Sequence, residues 1–197
     1  AFTHSKRALR AACVAVVAVC VPTGSQAGSS PAFPPSVTLE GGALQRIGWG
    51  LREFLFIDIY ELGAYSKSGS CDARVIVSRD EPRYMKLRMM REIPKERMVS
   101  NLRKSLEKNL PENASPELKG KVESFLGYMK TDLKEGRVVE IHYVPGKGTN
   151  LRYDGSLLGP TVPGKDFADV VWRAYFGPKT CCSSLKADIL EVCRGDG

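Results

Sequence analysis

The sequence is poor in histidine: only His4 and His142 occur among 197 residues. His4 falls in a stretch read below as a targeting segment. With one histidine left, a mixed Cys/His zinc site, a Cys/His pair and a Ser/His/Asp triad all lack their members. No Cys-x-x-C occurs either, so no cofactor or metal is expected. Long apolar runs are also missing. The longest, Ala11 to Val21, would span about 16 Å as a helix, too short for a bilayer core. There is no basic block and no basic stretch interleaved with aromatics, which argues against nucleic-acid binding. Acidic residues are absent from the first 27 positions, which hold Lys6, Arg7 and Arg10.

What is present suits a globular protein. Hydrophobic residues make up 43% and charged residues 26%, enough for one domain with a core. Lys6 to Arg10, the apolar run and the small-residue site Ser25-Gln26-Ala27 follow the order of a signal peptide. Residues 1–27 are therefore expected to be a targeting segment and the protein to be exported, periplasmic or secreted. A plastid presequence is the alternative destination, and an uncleaved anchor the alternative to cleavage. Without that segment, 26 basic and 22 acidic residues leave a net +4. Residues 28–36 (GSSPAFPPS) read as a flexible linker, and 37–194 as the domain.

Cys71, Cys181, Cys182 and Cys193 lie in the domain. Four cysteines allow three pairings. Joining the adjacent pair would strain the backbone, so one of Cys181 and Cys182 is expected to bond Cys71 or Cys193.

Residues 44–49 and 52–60 look extended, the second through the β-prone run Phe54-Leu55-Phe56-Ile57. Arg74 to Ser78 and Tyr84 to Arg91 are expected as two more strands. Pro94 opens a helix with an apolar stripe at Met98, Leu102, Leu106 and Leu110, four apart. Ser115 caps a second helix, Pro116 at its first position, with Leu118, Val122, Phe125, Leu126 and Met129 inward. Arg137 to Val144, Thr149 to Tyr153 and Ser156 to Leu158 form hairpins, the last turning at Asp154-Gly155. Lys165 to Phe176, ended by Gly177, and Ser183 to Val192 are helices. Helices segregated from an antiparallel sheet define an α+β domain, and an apolar ligand can lodge between such layers.

Two stretches carry a family likeness. Gly48 to Ser66 (GWGLREFLFIDIYELGAYS) and Val144 to Gly177 (VPGKGTNLRYDGSLLGPTVPGKDFADVVWRAYFG) resemble the chalcone isomerase-like family, most of all its exported bacterial-type branch. The first matches an early hairpin of the form Gly-x-Gly-x-Arg. The second matches the late hairpins and the Gly-x-Asp-Phe-Ala helix start. The resemblance implies an open-faced β-sandwich, a large antiparallel sheet layered with helices. Its members either cyclise chalcones or, without catalysis, bind fatty acids with an arginine on the carboxylate.

Carried onto this sequence, the resemblance puts the anchoring arginine at Arg52, with Arg46 as runner-up. A guanidinium stays charged and offers a planar fork to a carboxylate. On spacing alone Arg52 would read as a solvated strand residue. The isomerase threonine falls on Tyr60, its helix tyrosine and asparagine on Leu102 and Asn109, and its late-helix threonine on Ala174. Two of the five polar groups are thus apolar here. If each acted like an oxyanion-hole donor, the loss would be about 2.7–4 kcal/mol apiece. The expected function is non-catalytic binding of a fatty acid or similar apolar carboxylate. An intramolecular lyase of the isomerase type and an interaction protein with a vestigial cleft are the alternatives.

Overall fold

A computed structural model describes residues 32–195. The expected targeting segment and residues 28–31 of the expected linker lie outside them. Residues 32–36 do not behave as a linker. The Phe33 ring is wholly buried and stacks on Trp49, and Lys86 Nζ donates to the Ala32 carbonyl at 3.3 Å. Among the described residues no helix is long and apolar enough to cross a membrane.

The chain runs β1 (Ser36–Leu39), β2 (Gly42–Phe54), β3 (Ile57–Ser66), α1 (Ala73–Ser78), β4 (Arg83–Met89), α2 (Lys95–Asn109) and α3 (Pro116–Leu126). It continues through β5 (Val138–Val144), β6 (Gly148–Tyr153), β7 (Ser156–Leu157), α4 (Lys165–Phe176) and α5 (Ser183–Gly195). The strands pair in chain order as one antiparallel seven-stranded sheet. It curls into a half-barrel, and a Lys147–Glu40 ion pair joins the β5–β6 turn to the β1–β2 turn.

Strand alternation separates two faces. Leu62, Met85, Leu87, Val139 and Ile141 point toward the helices and build the main core with Leu106, Phe125, Phe167, Val171 and Trp172. Tyr65 and Tyr84 point the other way and pack with Leu44. The helical stripes expected from spacing meet the first face. Ser115 caps α3 as expected, its Oγ accepting the Leu118 N–H. Pro94 precedes α2 rather than opening it, and Asp132 Oδ1 accepts the Lys95 N–H at 2.9 Å.

Two local expectations fail for tertiary reasons. Arg74 to Ser78 is helical, despite three β-branched residues, because Asp72 caps the Arg74 N–H and Ile76 is buried on α1, which packs on α4. The run Phe54 to Ile57 is not strand throughout. Leu55 and Phe56 form a two-residue turn with φ of 50° and 64°, so 52–60 is the end of one strand and the start of the next.

Gly48 and Gly50 admit α5 onto β2. A Cβ on Gly48 would fall 2.0 Å from the Ile189 carbonyl oxygen, and one on Gly50 3.1 Å from Leu185 Cδ1. Gly48→Ala is expected to cost about 1–3 kcal/mol through displacement of α5. Urea unfolding measures this, and an unchanged midpoint would show that α5 is not seated there.

Candidate functional site

Arg52 stands near the end of β2, directly across from Tyr60 on β3. Residues paired across an antiparallel ladder share a face. Arg52 therefore lies on the helix side with Tyr60, Leu62 and Ala64. It is half-buried and has no acidic partner among the described residues. Tyr60 is buried, and its hydroxyl lies 3.9 Å from Cys182 Sγ.

The segment between α4 and α5 brings the rest of the site in. Cys181 N–H donates to the Ala174 carbonyl at 2.9 Å. Thr180 Oγ1 donates to the Tyr175 carbonyl at 2.7 Å and accepts the Cys182 N–H at 3.2 Å. Cys182 then caps α5, its carbonyl accepting the Lys186 N–H. This folded-back turn sets Cys181, Cys182 and Tyr175 beside Tyr60 and Arg52.

Electrostatics follow from that crowding. The Cys182 thiol is pushed down to about 7, chiefly by a hydrogen bond from the Cys181 thiol and with help from the Arg52 guanidinium, against the opposing effect of burial. Cys181 moves up as the donor of that bond and through burial, while Ser105 and Arg52 pull the other way. Burial raises Tyr60 well above the ordinary phenol value, and Tyr175 and Cys182 add to it. Burial also raises Tyr175. Both phenols are neutral hydrogen-bonding groups, and the permanent positive charge is that of Arg52.

The other expected residues take different places. Asn109 is buried, and its Nδ2 donates to the Ser105 carbonyl at 2.9 Å and to the Lys179 carbonyl at 3.1 Å. It is a bracket between α2 and the Lys179–Cys182 turn. The Ala174 side chain is wholly buried, and Leu102 is partly exposed against the core. Arg46 pairs with Tyr65 across β2–β3, and its Nη1 donates to the Phe33 carbonyl at 2.5 Å. It lies on the face away from the helices, so the structure does not bring it to Arg52. Tyr175, Ser105, Cys181 and Cys182 are site residues that sequence reasoning missed. The adjacent cysteines before a helix were the only available signal.

Two surface depressions, one along Lys186, Leu190 and Arg194 and one at Lys67, Arg79 and Asp80, are lined by none of these residues. Beside Arg52 the layer holds Tyr60 and the two cysteines, with Tyr175 against Tyr60.

Cys181 and Cys182 are both free, which corrects the expected pairing: the bridge is Cys71–Cys193, with Cα atoms 5.7 Å apart. Cys182 and Cys193 sit at opposite ends of α5, about 16 Å apart along its axis. Only Cys193 reaches the loop after β3 that carries Cys71.

A curled antiparallel sheet with helices on one face and a lone arginine at the layer's edge defines an α+β half-barrel with an amphipathic site. The sequence matches the chalcone isomerase-like family over residues 27–191, and the chain belongs to that family. Among solved structures it is similar to a fatty-acid binding protein of Arabidopsis thaliana. The TM-score is 0.62 and the identity 15%, covering 82% of this chain and 94% of that one. At that identity the likeness shows the fold. Comparison with curated proteins found no match.

Proposed function

We propose that this protein binds a fatty acid or similar apolar carboxylate between sheet and helices, without catalysis, and that Arg52 holds the carboxylate. The observation that carries the reading is Arg52 itself. It is a guanidinium with no carboxylate partner among the described residues, turned to the helix side of the sheet at the edge of a largely apolar layer, with the Cys182 thiol beside it. Each buried methylene contributes about 0.8 kcal/mol, so one charged anchor suffices for a long chain. The name of the Arabidopsis thaliana neighbour supports the ligand class. Leu102 and Ala174 supply no hydrogen-bond donor to an isomerase transition state, which favours binding over turnover.

A chain enters between sheet and helices by parting them, and α2 is the wall suited to it. It buries only Leu106 and Asn109, while Met98, Val99 and Leu102 stay partly exposed. Elements with few buried contacts open at low cost. The Cys71–Cys193 bridge supports placing the protein in an oxidising compartment, in keeping with export.

Native mass spectrometry of the purified chain is expected to show a co-purified acid. Arg52→Ala is expected to weaken fatty-acid binding about 10- to 100-fold, the worth of a charge-assisted hydrogen bond of about 1.5–3 kcal/mol. A wild-type chain that emerges empty and binds no added fatty acid would sink the reading. Chalcone cyclisation well above the spontaneous rate would move the assignment to an enzyme.

A further inference from the structure

The β2–β3 hairpin ends in a point that the ligand site does not use. Phe54, Leu55, Phe56 and Ile57 are 56%, 73%, 99% and 43% exposed. They are four of the five large apolar residues so exposed among those described, the fifth being Leu157 on β7. Leu55 and Phe56 are both left-handed, at the two central positions where asparagine and glycine are at ease and bulky side chains are not. The chain thus holds its most exposed apolar groups in an unfavourable backbone conformation, and nothing within the described structure is gained by it. Outliers of this kind concentrate where a surface has a task.

The shape selects the occupant. A two-residue turn is convex, and its four side chains offer roughly 500 Å². A standard protein interface needs about 800 Å² per partner, flat enough for close complementarity. The tip is too small and too pointed for a stable dimer, but a convex apolar point needs no matching cavity to enter the boundary between lipid headgroups and acyl chains. Behind it stands a polar collar. Glu53 and Asp58 are exposed at its shoulders, Arg52 follows on β2, and Arg91 is exposed just beyond β4, next to Met90, whose N–H donates to the Ile59 carbonyl. Two acids and two arginines leave the collar neutral, so attachment depends on apolar contact rather than surface charge.

We infer that the hairpin tip Phe54–Ile57 docks on a lipid bilayer, inserting Leu55 and Phe56 and setting Arg52 at headgroup level. The choice of lipid as occupant rests in part on the ligand reading above. The same β2 strand that carries the tip carries the carboxylate anchor two residues earlier, so a docked chain presents its site to acids leaving or entering the membrane.

The test is co-flotation of the full chain with vesicles of phosphatidylcholine, and of phosphatidylethanolamine with phosphatidylglycerol at about 3:1. The wild type is expected to float with both, with little change between low and high salt because the collar is neutral. Phe56→Asp is expected to lower the bound fraction at least tenfold with an unchanged melting temperature, since the side chain touches no core. In Phe56→Trp the added indole emission is expected to be quenched by lipid brominated high in its acyl chains. A wild type left behind in the dense fraction, or unquenched indole emission, overturns the inference. So does a lipid-free dimer that Phe56→Asp abolishes, which would make a second copy the occupant. The two readings fail separately: a wild type that floats but binds no fatty acid sinks only the ligand reading. One that binds fatty acid but does not float sinks only this one.

Discussion

Replacing Cys71 and Cys193 by serine is expected to lower stability by about 4–5 kcal/mol. The bridge closes a loop with a sequence separation of 122. In the chain-entropy account a cross-link around about 100 residues removes close to 4.7 kcal/mol of unfolded-state freedom. Position adds to length here. Cys193 lies in the last turn of α5, the last described element, which rests on β2 through Leu185 and Ile189 over Gly48 and Gly50. Without the bridge α5 is held by that apolar contact, the buried Leu190 and the Lys186–Gly177 hydrogen bond, and it also carries Cys182 into the site. Urea unfolding of wild type and double variant checks the prediction, and equal midpoints would show that the loop is closed by other means. Serine substitution is preferable to a reductant, because Cys181 and Cys182 then have no freed cysteine to pair with.

The second large effect is expected at Asp169. Arg83 enters the core from β4 with no exposed surface. Its Nη1 donates to the Ile76 carbonyl at 2.9 Å, and its guanidinium lies over the rings of Tyr143 and Trp172 at 4.9 and 5.1 Å. Among the described residues its ion pair is with Asp169, at 3.3 Å. Burial weakens the hold on the Arg83 proton, and Asp169 is the main force opposing that. An arginine does not escape by deprotonating. Asp169→Ala therefore strands a buried cation and is expected to cost about 3–5 kcal/mol. Arg83→Met is expected to cost less, because the remaining Asp169 keeps Lys165 at 2.6 Å. Adding Arg83→Met to Asp169→Ala should then restore stability rather than lower it further. A double variant less stable than Asp169→Ala alone would refute the account.

The helix stripes were legible because each residue's partner is one turn away, and so was the β6–β7 turn at Asp154-Gly155. The two glycines of the early hairpin were visible as a motif, but their reason was not. It is the α5 backbone, contributed about 140 residues later, that leaves no room for a Cβ at Gly48. The misread segments share a cause. Val75 to Val77 favour strand by local preference, yet an Asp72 cap and burial of Ile76 make them helical. Phe54 to Ile57 spell a strand, yet they turn.

The site divides in the same way. Arg52 and Tyr60 were named through the family resemblance alone, and their cross-strand pairing appears only once the turn at Leu55-Phe56 is formed. Tyr175 and Cys182 were not, since they reach Tyr60 only when the Lys179–Cys182 turn folds back over β3, a contact spanning 122 residues between Tyr60 and Cys182. Arg46 and Arg52 were rivals in the sequence, and the β2–β3 register put them on opposite faces. By itself the sequence determined the family and the later run of helices and hairpins, because these follow from residue type and local spacing. Only the tertiary structure decided which arginine joins the helix layer, which cysteines bond and which apolar residues stay outside. Those outcomes depend on distances between segments far apart in the chain.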